Sequence, residues 1–352
     1  MPTVTFDQTY YERLMHEFGY DPLLFGKIDF SLGSLTDEDL QRRWLCHHGG
    51  RIFADHMQLG QPGIVTTGFG LSGIPHAGSL SQILRSIALQ RGGIPIQIVL
   101  GDLDAYNGKA KPLAEARELA DKYKEFILAL GFDPSLPSRL RAQYDKLEVL
   151  RTAYLIGHYM DDHMFNEAEE DLHAFYTARG KVDTTMSYRR KLSLNLMTAD
   201  FIHLHTSEGF QNILVMLGID EHKYVRFAQE TATRMATAEA PNKTDMTLGG
   251  LYSPLIKGFF DYPKMSKSFP ESGIRADMSP DNIVRRIMEG EGNYNKPENN
   301  VVYQMMAGAS WLTPHELKEM YTRCLTGGRR WERAKRAYTD MLVEICSRWP
   351  AK

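Results

Sequence analysis

The sequence predicts an α/β fold built on an open parallel sheet, and three observations carry that expectation. A β-rich run closed by glycines, GIVTTGFG at 63–70, precedes helical spacing of Leu80, Ile83, Leu84, Ile87 and Leu89, and a second β-rich run, IPIQIVLGD, follows. Strand, glycine turn, helix and strand make the βαβ unit of a parallel sheet, in which ligands bind at the carboxyl ends of the strands. The chain of 352 residues, 43% of them hydrophobic, can bury a large core and should hold about two domains at roughly 150 residues each.

Residues 1–61 read as an N-terminal helical extension. Thr36-Asp37-Glu38-Asp39 is a helix cap, and LQRRWLCHHGGRIFADHM continues the helix behind it. On such a helix the adjacent His47 and His48 point to different faces, and no partner ligands stand at metal spacing. Residues 62–277 form the main domain. Within it 112–192 is mostly helical in pattern and reads as a helical insertion or a contact surface between subunits. His158, Asp161, Asp162 and His163 fall there, but helical spacing sends the two aspartates in neighbouring directions, and no metal site is expected. LSLNLMTADFIHLH is a compact apolar run broken by Asp200, and QNILVMLGIDEHKYVRFAQETATRM has the pattern of strand, turn and helix with GIDE at the turn. TAEAPNKTDMTLGG and DYPKMSKSFPESG read as loops, the second one that no packed core would want. Residues 278–352 read as a C-terminal helical domain.

Lys and Arg number 41 against 44 Asp and Glu, a net charge of −3, so any nucleic-acid contact must be local. Cys46, Cys324 and Cys346 are widely separated and form no CxxC pair, which argues against a disulfide framework or a cysteine zinc site and suits a reducing cytoplasm. The N-terminal residues lack a basic region followed by an apolar stretch, and about 18 consecutive apolar residues occur nowhere, so a soluble, cytoplasmic protein without membrane contact is expected.

Two segments carry chemistry. Gly70, Gly73 and Gly78 surround His76 where the first strand meets its helix. Glycines let a phosphate approach the backbone, the helix N-terminus favours its charge, and the imidazole can donate to a phosphate oxygen. A tight turn with a surface histidine is the bland alternative. The second segment is Lys264-Met265-Ser266-Lys267-Ser268, whose two lysines and interleaved hydroxyls can wrap a polyphosphate and stabilise charge on departing pyrophosphate. Plain solvation is its alternative.

Together the two segments resemble the class I aminoacyl-tRNA synthetases. PHAGS at 75–79 looks like their HIGH element, and KMSKS at 264–268 matches their second signature at every letter. Within that class the similarity is greatest to the tryptophanyl and tyrosyl subgroup, above all its tryptophanyl members. SGIRADMSPDNIVRRIMEG, GDLDAYNGK, LMTAD at 196–200 and IDEHKYVR carry it, over about residues 63 to 345.

The resemblance implies a Rossmann-like domain that uses ATP and Mg2+, the ion held mainly by the nucleotide, to turn an aromatic amino acid into an adenylate. Transfer to tRNA would follow, in a homodimer. By that resemblance His76, Lys264 and Lys267 hold phosphates, while Gly68, Gly73, Gly78, Ser79 and Asp220 border the nucleotide with Met265, Ser266 and Ser268. Met197 and Asp200 would select the side chain, with Glu221 close by. Tryptophan is the first reading of that side chain and tyrosine the second; a paralogue that makes an adenylate for a non-tRNA acceptor, or binds ligand as a regulator, is the third. Asp200 has its own plain reading, an acid that satisfies backbone N–H groups or an arginine. The chain departs from the pattern at Ser79, where HIGH has its second histidine, at Glu221, where glutamine follows GxD, and at Ser193, where tyrosine is expected.

Residues 301–352 hold nine Lys and Arg against five Asp and Glu. Arg329, Arg330 and Arg333 cluster with Lys335 and Arg336 around Trp331, which suits tRNA phosphates and an unstacked base. The alternative is a solvated helix face with Trp331 turned inward.

Overall fold

The computed structural model describes residues 5–24, 26–169, 171–182, 184–238, 246–290 and 296–351. Helix α1 (Gln8–Phe18) opens on Asp7, whose carboxylate accepts the Tyr10 N–H at 3.0 Å, and closes on Gly19 in the left-handed region at φ +66°. A two-residue strand, β1 (Asp21–Pro22), leads to α2 (Asp37–Arg43), which starts at the Thr36–Asp39 capping box. The helix then stops, contrary to the sequence reading. Trp44 and Leu45 are wholly buried, Cys46–His48 forms β2, and Gly49 at φ +75° starts α3 (Gly50–Gln58). Sheet pairing and the Gly49-Gly50 break override helical continuity, so His47 and His48 lie on a strand.

The βαβ unit forms as expected. Strand β3 (Gly63–Gly70) feeds α4 (Ala77–Arg91), which returns to β4 (Ile96–Gly101) beside it in parallel. Helices α5 (Asp102–Gly108) and α6 (Leu113–Ala129) lead to β5 (Arg139–Ala142), parallel to β4. The expected helical insertion at 112–192 is therefore corrected: its first third is a second crossover of the sheet. RLRA alternates charged and apolar residues over only four positions, too short a signal beside the helical pattern around it. Helices α7 (Leu147–Ile156), α8 (Asp162–Glu167) and α9 (His173–Thr177) follow, and α10 (Tyr188–Thr206) makes the LMTAD run helical.

Strand β6 (Asn212–Gly218), a short turn at Ile219–Glu221 and α11 (His222–Ala238) reproduce the strand, turn and helix expected around GIDE. Residues 239–245 of the expected loop lie outside the described residues. Its last part is instead the start of β7 (Thr247–Ser253), whose buried glycines lie against β2 and β6. Four helices close the chain: α12 (Pro280–Glu289), α13 (Val301–Gly308), α14 (Pro314–Thr326) and α15 (Gly328–Cys346).

The sheet runs β1-β2-β7-β6-β3-β4-β5. The five strands from β7 to β5 are parallel, and β1 and β2 extend the β7 side antiparallel, so residues 1–61 are not purely helical. Alternate residues along β6 enter opposite layers. Leu214 and Met216 join a core with α4, α6 and α15, whereas Ile213 and Val215 pack with α1 and α11. Chain order reverses between β3 and β6, and a crevice opens there at their carboxyl ends. Among the described residues no helix is long and apolar enough to cross a membrane.

Candidate active site

The cleft of about 360 Å³ at the β3/β6 switch point is lined by His76, Lys264, Lys267, Asp200 and Asp220. The glycines expected at the nucleotide act through space. A Cβ on Gly78 would come within 2.9 Å of the His76 ring, and one on Gly68 within 3.4 Å of the Val99 carbonyl. Gly73 sits differently: it lines a neighbouring cavity, and its carbonyl accepts from Tyr123 at 2.9 Å.

His76 is the N-cap of α4. Its Nδ1 accepts from the Gly78 N–H at 3.1 Å and the Ser79 N–H at 3.4 Å, so the ring proton of the neutral imidazole resides on Nε2. Burial, then the charges of Lys267 and Lys264, depress its pKa from 6.5 to about 3. The imidazole is thus a neutral donor at neutral pH. Its turn is also tied to the segment behind KMSKS, through Ala77 N–H to the Ile274 carbonyl at 3.0 Å and Ala276 N–H to the Pro75 carbonyl at 2.9 Å.

The KMSKS segment is better packed than a solvent loop. Met265 and Phe269 are buried, and Ser272 accepts the Ser266 N–H at 2.9 Å, which corrects the expectation that no core would take this stretch. The Ser266 hydroxyl accepts the Ser268 N–H at 3.2 Å and the Tyr176 hydroxyl proton at 3.2 Å, while the Tyr176 ring stacks on Phe269. Helix α9 therefore clasps the loop from the insertion. Lys267 Nζ donates to the Gly70 carbonyl at 2.6 Å, and burial draws its pKa down to about 8. Lys264 is ion-paired with Asp220. Expected as separate phosphate and nucleotide contacts, these two groups hold each other here.

Met197 and Asp200 lie three residues apart on α10 and both line the cleft, as does Glu221 at its turn. Asp200 is 2% exposed, and both its oxygens are engaged: Arg141 Nη2 donates to one at 2.8 Å and Gln143 Nε2 to the other at 2.8 Å. Arg141 also donates to Gln97 at 3.2 Å, and Gln97 to Thr66 at 3.0 Å. The plain reading of Asp200 as an arginine's partner is thus realised inside the candidate pocket. Burial raises its carboxyl pKa, against the lowering effects of Arg141 and Gln143. Ser193, also on the cleft wall, has a buried hydroxyl without a hydrogen-bond partner.

Sequence reasoning missed Arg141 and Gln143, two residues apart at the end of β5, because the strand was read as helix. The inward period-2 placement of polar residues was the available signal. Gln82, which bridges β3 and β6 by donating to Thr67 Oγ1 at 2.9 Å and the Met216 carbonyl at 2.8 Å, was missed as well.

On α15, Arg329, Arg330 and Arg333 are exposed, but Trp331 is 6% exposed and packs in the core with Ala334, Tyr338 and Leu342. Its expected role as a surface for an unstacked base is corrected. Helical period places it on the inward stripe.

A switch-point cleft bounded by HIGH-like and KMSKS elements defines a nucleotide-using α/β enzyme class, and the family model described as tRNA synthetases class I (W and Y) matches residues 58–345. The chain belongs to this family of class I tRNA synthetases. The tryptophan–tRNA ligase of Methanocaldococcus jannaschii is 24% identical to it over 95% of this chain and 90% of the relative. The tyrosine–tRNA ligase of Methanopyrus kandleri is 26% identical over 69% and 68%. Among solved structures, tryptophanyl-tRNA synthetase from Aeropyrum pernix aligns with a TM-score of 0.76 at 21% identity, covering 97% of this chain and 94% of that one. At that identity the likeness speaks for the fold.

Proposed function

We propose that this ligase activates an aromatic amino acid, tryptophan first, with ATP and passes it to tRNA. The observation that carries the reading is the pairing of His76 Nε2–H at the N-terminus of α4 with Lys267 across one cleft that also contains Met197 and Asp200. The amino acid carboxylate attacks the α-phosphate in line, the bond to the bridging oxygen breaks, and pyrophosphate leaves. Catalysis needs no protein nucleophile and rests on positioning and on charge stabilisation. His76 donates from Nε2 as a neutral group, and Lys267 exchanges the Gly70 carbonyl for a phosphate oxygen. Gly68, Gly78 and Ser79 leave the backbone open beside the nucleotide. Lys264 reaches phosphate by leaving Asp220, with Met265, Ser266 and Ser268 carrying the loop. Mg2+ would be held mainly by the triphosphate, where it would offset phosphate charge.

A screen of the standard amino acids for exchange of pyrophosphate into ATP tests this reading. Tryptophan should support the fastest exchange, and no exchange with any amino acid would overturn the activity. One observation favours a second reading. The carboxylate that would accept the indole N–H already holds Arg141 and Gln143, a setting equally open to tyrosine or another polar ring. Fastest exchange with tyrosine would select it.

Transfer to tRNA is supported by the exposed Arg329, Arg330 and Arg333 on α15. Changing all three to Ala should weaken tRNA binding and flatten its salt dependence while exchange persists. Unchanged binding would remove this surface from the interaction. A homodimer is supported by α7, where Leu147, Tyr154 and Leu155 are 70%, 87% and 59% exposed. Sedimentation should give a dimer that Tyr154→Glu dissociates, and a wild-type monomer would overturn it.

A further inference from the structure

Arg85, on the wall of the cleft and away from the groups used above, has Arg42 and Arg43 behind it, three guanidinium groups with too little negative charge to balance them. Arg42 and Arg43 stand in the last turn of α2, and Arg85 lies on α4. Arg85 is 4% exposed; its Nε donates to the Arg43 carbonyl at 2.5 Å and its Nη1 to the Ser81 hydroxyl. Both acceptors are neutral.

The nearby carboxylates face Arg42 and Arg43, and neither acts on Arg85. Asp39 stands 3.8 Å from Arg43 through one oxygen and accepts from the Thr36 hydroxyl at 2.9 Å through the other. Glu316, whose charge reaches Arg42, caps α14 through the Thr313 N–H at 2.7 Å and the Thr313 hydroxyl at 2.8 Å. The Nε atoms of both Arg42 and Arg43 are buried without a hydrogen-bond partner. Asp39, Glu316 and the roughly half negative charge at the carbonyl end of α2 still fall short of three cations, and neither carboxylate is paired with Arg85. Burial, followed by repulsion from Arg43 and Arg42, draws Arg85 down to about 9.

A buried cation such as Arg85, with two half-buried cations beside it, needs a counter-charge, and the chain does not supply enough of it. Arg85 lines the main cleft together with Ser81, Gln82 and Ser253, so an anion can reach it from there. Guanidinium forks match phosphate oxygens in geometry as well as in charge. We propose that Arg85, backed by Arg42 and Arg43, is a binding site for a phosphate-class anion, separate from the one His76 and Lys267 form. The site does not depend on which amino acid the enzyme activates, or on whether it activates one.

Calorimetric titration of the full chain with inorganic phosphate and, separately, with pyrophosphate tests the site, in chloride buffer at constant ionic strength. Lys267→Ala should keep a phosphate-binding event that Arg85→Gln weakens at least tenfold and Arg42→Gln weakens severalfold. Should Arg85→Gln fail to fold, Arg42→Gln carries the test, since Arg42 is partly exposed. Arg-dependent binding of pyrophosphate alone identifies the larger anion as the occupant and supports the site. No binding of either anion overturns it, as does binding that Lys267→Ala abolishes and the arginine variants leave intact.

Discussion

At one end of the cleft His76 and Lys267 bond only to backbone, to the Gly78 and Ser79 N–H groups and the Gly70 carbonyl. At the other end Asp200, Arg141, Gln143 and Gln97 bond mainly to one another. The first arrangement leaves a donor and a cation able to take a new partner at little cost. The second is a buried network that opens only if a substrate replaces what it breaks. On the proposed reading, phosphate chemistry would be served by groups held in reserve, and side-chain recognition by a wall already closed on itself.

The largest expected effect would come from breaking that wall. Asp200→Ala leaves Arg141 buried without its carboxylate and should cost about 3–5 kcal/mol of stability in denaturant unfolding. Asp200→Asn should cost less. If Asp200→Ala keeps wild-type stability and loses tryptophan or tyrosine activation far more than phenylalanine activation, the carboxylate serves substrate and the contrast between the two ends fails.

Next come the phosphate groups. Lys267→Ala should slow pyrophosphate exchange by about 10², roughly 3 kcal/mol of transition-state stabilisation, with stability unchanged. His76→Ala confounds two roles, because the same ring caps α4, a contribution of about 1 kcal/mol. His76→Asn can keep a capping oxygen while losing the Nε2 donor and should show the same kinetic loss. Near wild-type exchange in both Lys267→Ala and His76→Asn removes the proposed phosphate role.

The smallest effect is on pH dependence, and it sharpens the comparison. Burial holds His76 down at about 3 and His203, bonded to Thr152, at about 4, against 6.5 when unfolded. A histidine lowered on folding gives stability that is fully present above 6.5 and lost as pH falls toward the folded value. By pH 5 each should have lost about 2 kcal/mol. Unfolding measured at pH 7, 6 and 5 should show the loss, and His76→Asn should remove only its own share. A stability that stays flat over this range contradicts both assignments.

The end with His76 and Lys267 was legible because its residues are contiguous. PHAGS and KMSKS each place their groups within five positions, and local rules for turns and helix starts read such segments directly. The Asp200 end draws on β3, β4, β5 and α10, one or two residues from each. Only LMTAD was visible, and Asp200 without Arg141 could be read either way.

The amino-acid sequence by itself determined the βαβ unit, the turn after β6 and the two signature segments, because periodicity, glycines and caps act over a few neighbouring residues. Tertiary structure alone decided that Cys46–His48 and Arg139–Ala142 are strands, since a strand of three or four residues gains its hydrogen bonds only from partners far along the chain. It also turned Trp331 inward, closed Asp200 onto Arg141 and gathered Arg42, Arg43 and Arg85. Each of these depends on burial and on charges brought together across the fold, which no local pattern records.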